Sequence, residues 1–535
     1  MDASGQSGNT LAIVSKHFYI TTPIYYVNDR PHLGTAYTMV IADALARWHR
    51  LIGDDVFFLT GTDEHGQKIA NAAAEKSLSP QAWVDEASLW FKDAWKALNI
   101  SNDVFIRTTE ERHHKAVHQF MQNIFDNGYI YKGNYQGWYC VACEAYYQEE
   151  ELLPGQLCPQ HLKDVKWMVE ENYFFALSKF EDRLLQLYAD RQDMITPPSR
   201  YNEIVSQLRQ GLRDISITRT SIDWGVKVPW DKDHVFYVWC DALVNYLTAI
   251  GYPKDQDQMD TWWPNVHHLV GKDIIKFHCI WWPALCMAAG LNPPNHILAH
   301  GWLLVSGEKM SKSRLNQIDA ARYGEHVGVE PLRYHLLREI PLGADSDFSE
   351  EGLISRYNSD LANNLGNLLA RVVTLVQNKY SGVIPDNDVC NPTCEMKAII
   401  NATARDAALA WNNFTPDQAL THTWNLIREV NSLLESNEPW KMSPGEKLGH
   451  ILTDALEALQ LIAVMSYPAI PESANEIWRR LALPGDIENA ITNVPALLAM
   501  LTEESIGETY AVVNYKIAGN QVVLGPALFP RRKAG

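Results

Sequence analysis

The chain has 535 residues, of which 46% are hydrophobic and 21% charged, a composition typical of a globular protein with about three or four domains. Its 46 basic and 64 acidic residues give a net charge of −18, which argues against a general nucleic-acid binder. No apolar run reaches the roughly 18 residues of a membrane span, and residues 1–16 have neither the pattern of a secretion signal nor that of a transit peptide. We therefore predict a cytoplasmic protein with a disordered tail over residues 1–16 and no disulfide framework.

The first elements predict a doubly wound α/β domain with a Rossmann-like parallel sheet. Residues 17–27 are β-branched and aromatic, as in a buried strand, and residues 36–52 carry apolar side chains at helical spacing. Residues 56–59 form a second predicted strand, which ends in the polar turn 60–66. Because ligands bind beyond the carboxyl ends of the strands in such sheets, the turns after both strands are candidate sites.

The rest of the chain changes its pattern twice. Clustered cysteines and irregular segments at 131–235 indicate an insertion, after which a predicted strand at Val235–Trp239 resumes the sheet. Apolar residues at helical spacing from Ile354 onward, with further predicted helices at 417–435 and 449–466, favour a helical bundle. The predicted divisions are an α/β domain at 17–130 and 236–300, the insertion at 131–235, a linking region at 301–355, and a helical domain at 356–535 whose residues 509–530 form a short extended tail.

Two short segments have the features of phosphate sites. His32-Leu33-Gly34-Thr35 stands at the start of the first predicted helix, where backbone N–H groups and the helix dipole attract phosphate. Alone, this segment is explained better as a turn with a surface histidine. Lys309-Met310-Ser311-Lys312-Ser313 follows Gly307 and predicts a mobile loop that closes two positive charges over a polyphosphate. A solvated basic loop is the alternative.

Together, the two segments resemble the signature motifs of class I aminoacyl-tRNA synthetases, HIGH and KMSKS. The resemblance implies that an amino acid reacts with ATP to give an aminoacyl-adenylate and pyrophosphate, and that the acyl group then moves to the terminal adenosine of tRNA. It implies catalytic roles for His32, Lys309 and Lys312, further ATP contacts from Gly34, Thr35 and Ser311, and Mg²⁺ bound with the ATP. Thr35 replaces the second histidine of the motif, so we expect it to be the weaker contact.

The similarity extends to the methionyl-tRNA synthetases of bacteria, through PIYYVNDRPHLG, FFLTGTDEHGQKI, ISITRTSIDWG, FYVWCDALVNYL and GKDIIKFHCIWWPA. It implies that Tyr26 and His278 direct hydrogen-bond donors at the thioether of methionine, and that Asp63 binds its ammonium group. Without this framework, the same residues are explained as core residues, a structural histidine and a helix cap. The implied methionine contacts are Ile24, Tyr26, Asp63, Trp239, Ile274 and His278, with Arg219 and Asp273 near the reacting groups.

Two short chelating pairs in the insertion predict a zinc knuckle. Cys140 and Cys143 form the first pair, and Cys158 and His161 the second, which suits tetrahedral Zn²⁺. Four protein ligands close the site, so we predict one structural zinc ion per chain. Four unrelated side chains are the alternative. In the family, such an insertion is a connective domain near the acceptor end of tRNA, whereas residues 301–355 would hold KMSKS and contact the tRNA stem.

The helical domain contains three residues that resemble anticodon readers. Asn367 and Arg371 lie one helical turn apart, and Trp440 follows a proline between two helices. In the family, these positions read the CAU anticodon of initiator and elongator tRNA(Met), through stacking and base edges. The alternatives are a polar surface pair and a tryptophan that packs one helix on the next. We expect a monomer without a membrane contact or a dedicated C-terminal dimerisation module.

Two other classes of protein are alternatives to this interpretation. Leucyl, isoleucyl and valyl enzymes have a large editing insertion, for which residues 36–308 leave little room, and a cysteinyl enzyme would place zinc at its amino-acid site. A non-enzymatic tRNA-binding paralogue should lose the motif lysines or the substrate carboxylate. This chain retains Lys309, Lys312 and Asp63, and Thr35 alone favours that interpretation.

Overall fold

The computed structural model describes residues 17–140, 145–147, 149–159, 162–305, 307–309, 318–386, 395–490 and 517–532. The predicted tail at 1–16 lies outside these residues. The strands are β1 (His17–Tyr26), β2 (Asp55–Asp63), β3 (Val104–Arg107), β4 (Ile130–Cys140), β5 (Ala145–Tyr147), β6 (Lys166–Phe175), β7 (Ile195–Thr196), β8 (Ile215–Ser216), β9 (Thr218–Arg219), β10 (Lys227–Val228), β11 (Asp231–Phe236), β12 (Val266–Gly271), β13 (His296–His300), β14 (Leu303–Val305), β15 (Glu308–Lys309) and β16 (Ser346–Asp347).

The helices form most of the rest of the described chain. Two π-helical segments, Phe277–Trp281 and Tyr357–Gly366, continue into α-helices at their C-terminal ends. The α-helices are α1 (Leu33–Leu51), α2 (Gln67–Glu75), α3 (Pro80–Ala97), α4 (Glu111–Asp126), α5 (Glu181–Asp190), α6 (Pro198–Leu208), α7 (Val238–Ala242), α8 (Asn245–Thr248), α9 (Gln256–Trp262), α10 (Trp282–Ala288), α11 (Ala320–Val327), α12 (Val329–Glu339), α13 (Glu350–Arg356), α14 (Asn367–Tyr380), α15 (Glu395–Asn412), α16 (Pro416–Asn437), α17 (Glu446–Ser466), α18 (Pro471–Arg480) and α19 (Ile487–Ala490).

A parallel sheet forms the centre of the N-terminal part and confirms the predicted α/β fold. Within the described residues, it has six strands in the order β3-β2-β1-β12-β13-β7. The chain leaves β1 toward β2 on one side, and β12 occupies the other side, so the strand order reverses beside β1. Crevices at such reversals receive ligands at the carboxyl ends of the strands. Tyr26, at the end of β1, is the register partner of Asp63, at the end of β2.

The boundaries of the predicted insertion need two corrections. Strands β5-β4-β6-β8 form a separate antiparallel sheet, but β7, which lies within 131–235, is the edge strand of the parallel sheet. A strand of two residues is too short to leave a pattern in the sequence. The predicted strand Val235–Trp239 does not resume the parallel sheet. Its first residues belong to β11, which pairs antiparallel with β9 and β10, and Val238 begins helix α7.

A small sheet follows the parallel sheet and carries the start of the KMSKS segment. Strand β14 pairs antiparallel with β15 and parallel with β16. Asp345 accepts hydrogen bonds from the backbone N–H of Trp302 at 2.9 Å and from Lys272 Nζ at 2.6 Å, which fixes this sheet against the end of β12. A Cβ atom on Gly301 would lie 2.0 Å from the Ala344 carbonyl oxygen, so only glycine allows this close approach.

The C-terminal part confirms the predicted helical bundle. Helices α16 and α17 match the predicted helices closely, and α17 packs against α15, α16 and α18. By length and composition α17 could cross a membrane, but 83% of its most apolar window is buried, as in the core helix of a globular protein. The segment 517–532 returns to the bundle, where Gln521 forms a bridge pair with Val383.

Helix α12 joins the two parts of the molecule through a buried arginine. The Arg333 side chain is fully buried and lies 2.5 Å from Asp43 on α1. Its other donors reach the carbonyl oxygens of Pro468 at 2.9 Å and Ala469 at 3.1 Å, at the end of α17. One guanidinium group therefore connects the α/β domain to the helical bundle.

Candidate functional site

His32 caps helix α1 with its ring. Its Nδ1 accepts hydrogen bonds from the backbone N–H groups of Gly34 at 3.1 Å and Thr35 at 3.3 Å, so in the neutral imidazole the proton is on Nε2. The Leu33 N–H donates to the Ile318 carbonyl at 2.9 Å. The first backbone donors of α1 are thus already used. In this arrangement a phosphate would have to replace these bonds to reach the backbone donors, and the predicted phosphate contact of the turn stays a prediction.

Thr35 stabilises the same turn. Its hydroxyl donates to the His32 carbonyl oxygen at 2.6 Å, and its backbone N–H bonds within the cap. The hydroxyl proton is therefore directed at the chain in this arrangement. The predicted ATP contact of Thr35 requires its side chain to rotate, which agrees with its ranking below His32.

The segment that follows the KMSKS motif lies beside the HLGT turn. Asp319 forms an antiparallel bridge pair with His32, and the Ala320 N–H reaches the Pro31 carbonyl at 3.4 Å. The segment that leaves the KMSKS loop therefore runs directly along the HLGT turn. Lys309 ends β15 on the other flank of the loop. Its side chain, with Ser311 and Lys312, lies outside the described part of the chain.

The predicted methionine residues gather at the carboxyl edge of the sheet. Asp63 is buried, with 5% of its surface exposed, at the end of β2. Trp239 stacks on Phe277 with ring centroids 3.8 Å apart, and it meets the His278 ring edge-on at 6.4 Å. Four of the predicted methionine contacts are partly buried and pack against the same apolar core. They are Ile24, Tyr26, Trp239 and Ile274.

His278 differs from its predicted role. It lies in the π-helical turn Phe277–Trp281, where Nδ1 donates to the Ile274 carbonyl at 3.0 Å and Nε2 accepts from the Tyr246 hydroxyl at 2.8 Å. Burial lowers the pKa of His278 to about 4, so the ring is neutral at physiological pH. Its single proton is used on Ile274, and no donor remains for a thioether. The expected donation from His278 would therefore require the ring to change its partners; in this arrangement the ring is a neutral wall oriented by Tyr246.

Arg219 and Asp273 lie on different elements, Arg219 on β9 and Asp273 just after β12. The Arg219 guanidinium is buried and stands 4.5 Å from the Tyr237 ring centroid and 5.6 Å from that of Tyr139. It also donates to the Thr218 carbonyl oxygen at 2.7 Å. Asp273 is exposed just after β12, and its carboxylate folds over Gly271, where a Cβ atom would lie 2.6 Å from Oδ1. Arg219 therefore connects the insertion to the segment before α7.

Two of the four predicted zinc ligands are described, and they lie together. Cys140 ends β4, and Cys158 begins a tight turn in which the Leu162 N–H donates to its carbonyl oxygen at 2.8 Å. Both thiols belong to one small buried cluster with Val165. Cys143 and His161 lie outside the described residues.

The predicted anticodon residues meet on the outside of the bundle. Asn367 and Arg371 are exposed on the first two turns of α14. The Arg371 guanidinium lies 5.8 Å from the Trp440 ring centroid, and Trp440 is 43% exposed. An arginine, an amide and an open aromatic face thus share one surface, a combination that suits unpaired bases.

Comparison with known proteins gives consistent results. The family of tRNA synthetases class I (M) matches residues 18–166 and 158–373. The methionine–tRNA ligase of Thermotoga maritima is 44% identical over 87% of this chain and 75% of its own length, and that of Streptomyces coelicolor is 42% identical over 97% of both chains. The structure of Mycobacterium tuberculosis methionyl-tRNA synthetase in complex with methionyl-adenylate superposes with a TM-score of 0.88, at 38% identity over 96% of this chain and all of the other. The chain therefore belongs to the methionyl-tRNA synthetases, within the class I aminoacyl-tRNA synthetases.

Proposed function

We propose that this chain activates methionine with ATP and transfers the methionyl group to tRNA(Met). The observation that carries this proposal is the cluster of Tyr26, Asp63, Trp239 and His278 at the carboxyl edge of the sheet, beside the HLGT turn. A relative that is 38% identical and aligns with nearly the whole chain was solved with methionyl-adenylate, the product of the first step.

Methionine would be held at its two ends. The buried carboxylate of Asp63 attracts the substrate ammonium, and a buried ion pair of this kind orients as well as binds. The unbranched, polarisable side chain would lie among Tyr26, Trp239 and His278, where sulfur–aromatic contacts favour it over a branched aliphatic side chain. Because His278 is neutral and has no free proton, Tyr26 is the remaining candidate for a donor to the thioether.

Activation requires charge stabilisation more than bond-making by the protein. A carboxylate oxygen of methionine attacks the α-phosphorus of ATP, and the bond to the bridging oxygen breaks as pyrophosphate leaves. The His32 Nε2–H, Lys309 and Lys312 would neutralise the charge that develops on the leaving group. Mg²⁺ bound with ATP would offset the charge of the phosphates. In the second step, a ribose hydroxyl of the terminal adenosine attacks the acyl carbon, and AMP leaves.

The amino-acid preference is the direct test of this proposal. In ATP–pyrophosphate exchange with a panel of twenty amino acids and no tRNA, we expect methionine to give the highest kcat/KM, because the cluster combines one carboxylate with aromatic walls. Pocket differences of one methylene are worth about 10- to 200-fold, so near neighbours should exchange weakly. Exchange that is fastest with another amino acid, or absent with all twenty, would overturn the assignment.

We propose that the exposed surface formed by Asn367, Arg371 and Trp440 reads the CAU anticodon of initiator and elongator tRNA(Met). Stacking of one base on an aromatic ring is worth about 1–3 kcal/mol. Trp440→Ala should therefore lower kcat/KM for tRNA by about 5- to 150-fold in aminoacylation and leave exchange without tRNA unchanged. Trp440→Phe keeps a stacking face and serves as the matched control. Equal tRNA kinetics for Trp440→Ala and the wild type would contradict this role.

We propose a structural zinc ion held by Cys140, Cys143, Cys158 and His161. The two described thiols share one buried cluster, which supports a common ligand site, and the spacing of both pairs suits a knuckle. Metal analysis of the purified protein should find about one zinc per chain, because three thiolates and one neutral imidazole would occupy all four coordination positions of the ion. Cys143→Ser should lose it, whereas Cys286→Ser, which removes a buried thiol of α10, should retain it. A zinc-free protein of full stability would refute the site.

The setting proposed for these reactions is the cytoplasm. The relatives that match most of this chain are tRNA ligases, and tRNA charging supplies protein synthesis. No part of this proposal depends on a membrane or on a second copy of the chain.

A further inference from the structure

A buried carboxylate outside the predicted site bridges two histidines. Asp241 Oδ2 lies 2.6 Å from His65 Nδ1, and Asp241 Oδ1 lies 2.8 Å from His113 Nε2. All three side chains are at most 2% exposed. His113 Nδ1 in turn lies 3.0 Å from the Thr248 hydroxyl on α8. Three separate segments of the chain therefore meet at one carboxylate, and α8 is joined to them through His113.

The Asp241 carboxylate connects two segments that each contain a proposed methionine contact. His65 is two residues beyond Asp63, which is the proposed ammonium contact, in the turn after β2. Asp241 is two residues beyond Trp239, the proposed wall of the side-chain pocket, on α7. His113 belongs to α4, which packs against α8. The shortest hydrogen-bonded connection between the two ends of the methionine pocket thus runs through Asp241.

Local structure cannot set the distance between those two ends. Helix α7 has five residues, fewer than an isolated helix needs for stability, and the chain leaves regular structure after Asp63, which ends β2, before it reaches His65. The His65 ring also packs edge-on against Trp224 at 5.5 Å, and the Trp224 indole donates to the Glu64 carbonyl at 2.6 Å. The turn is therefore held on one side by Trp224 and on the other by Asp241.

The electrostatics of the bridge favour a permanent charge on Asp241. Burial opposes ionisation of this carboxyl, but His65 and His113 outweigh burial and hold its pKa well below the ordinary value. The next ring along, His114, lies 5.3 Å from His65. Burial, with a smaller contribution from His65, lowers the pKa of His114 to about 4, so this ring adds no charge near neutral pH. A charged carboxylate that accepts from two donors makes stronger bonds than a neutral amide in its place.

We propose that Asp241 is a positioning residue for methionine, which sets the distance between the ammonium contact Asp63 and the pocket wall Trp239 through His65 and His113. This inference rests on the proposed function, because it assumes that Asp63 and Trp239 contact the substrate. Asp241 itself touches neither. Replacing Asp241 should therefore weaken the selection of methionine by side-chain length more than it weakens the use of ATP. A displacement of about 1 Å at a site can lower the rate about 10²-fold.

The chain offers a closely matched control for a merely structural effect. His49 Nδ1 and Asp54 Oδ2 form a second, mostly buried pair at 2.7 Å, at the opposite end of β2 from His65. Asp241→Asn weakens two buried histidine–aspartate contacts, and Asp54→Asn weakens one. Only the first adjoins the methionine cluster.

The test measures exchange kinetics for both variants with methionine and with ethionine, which is one methylene longer. We expect Asp241→Asn to raise KM for methionine by about 10- to 100-fold, to leave KM for ATP within about twofold, and to reduce the preference for methionine over ethionine. Asp54→Asn should change none of these by more than about twofold, even where it lowers thermal stability equally. Equal methionine kinetics for the two variants would overturn the inference.

A second pair of variants keeps the test decisive if Asp241→Asn does not fold. The amide nitrogen of His65→Asn takes the place of Nδ1 and retains the donor to Asp241, whereas His65→Ala removes it. We expect His65→Asn to keep KM for methionine within about threefold of the wild type and His65→Ala to raise it by about 10-fold or more. Equal values for both would overturn the inference. A wild-type protein that activates another amino acid would instead refute the proposed function.

Discussion

Replacing Lys312 with alanine should slow the formation of methionyl-adenylate by about 10²- to 10³-fold, the usual effect of removing one donor that stabilises a developing charge. The residue belongs to the loop between β15 and Ile318, and Ile318 is bonded directly to the start of α1 beside His32. Because the residue after this loop lies beside His32, we expect Lys312 to act on the same phosphates as His32. Because methionine would bind at the ends of β1 and β2, its affinity should change by less than about threefold.

Rapid-quench kinetics under single-turnover conditions separate these two effects. Lys96→Ala, which removes an exposed lysine from α3, is the control for a general loss of positive charge. A rate constant for adenylate formation that is equal in Lys312→Ala and Lys96→Ala would show that the second motif does not act on the triphosphate.

Replacing Arg333 with methionine should lower the free energy of unfolding by about 3–5 kcal/mol, the usual cost of breaking a buried ion pair at one partner. Methionine fills a similar length but leaves Arg47 as the remaining cationic partner of Asp43, and it removes the donors to the carbonyl oxygens of Pro468 and Ala469. Because those carbonyls lie between α17 and α18, the variant should also loosen the contact between the α/β domain and the bundle. Aminoacylation should then fall more than exchange without tRNA.

Denaturant unfolding followed by tryptophan fluorescence measures the loss, with Arg322→Met on the exposed side of α11 as the control. The wild-type contribution has a defined pH range. Burial opposes ionisation of Asp43, but Arg333 and Arg47 outweigh it and hold its pKa at about 2. The stabilisation is therefore complete above the unfolded-state pKa of about 3.9 and is lost as the pH falls toward 2. A loss below about 1 kcal/mol at pH 7 would contradict the account of this junction.

The sequence predicts the parts of this molecule that depend on local pattern. The strand before HLGT, the helix after it and the helices near 417–435 and 449–466 follow from periodicity, and the resemblance to known motifs selects Tyr26, Asp63 and Trp239. What it misses depends on contacts between distant residues. His65 and Asp241 are 176 positions apart, and nothing in either segment predicts the other. Tyr246 stands within a motif that supports the family, yet its bond to His278 appears only in three dimensions.

The errors have physical causes of the same kind. Strand β7 has two residues, so its place in the parallel sheet depends on its neighbour β13 rather than on its own pattern. The run at Val235–Trp239 is apolar because it is buried, and burial alone does not distinguish an antiparallel strand from a parallel one or from a helix. Both the His32 ring and the first backbone N–H groups of α1 were expected to contact phosphate. In this structure, Nδ1 of the ring accepts hydrogen bonds from those N–H groups.

The central claim is that this chain charges tRNA(Met) with methionine, and aminoacylation of unfractionated tRNA tests it most directly. Purified protein, ATP, Mg²⁺, the twenty amino acids and total tRNA are incubated together, and the acylated tRNAs are captured, sequenced and analysed for their amino acid. We expect methionine to be attached to tRNAs with a CAU anticodon, both initiator and elongator. Acylation with a different amino acid, or of tRNAs with other anticodons at equal rate, would contradict it.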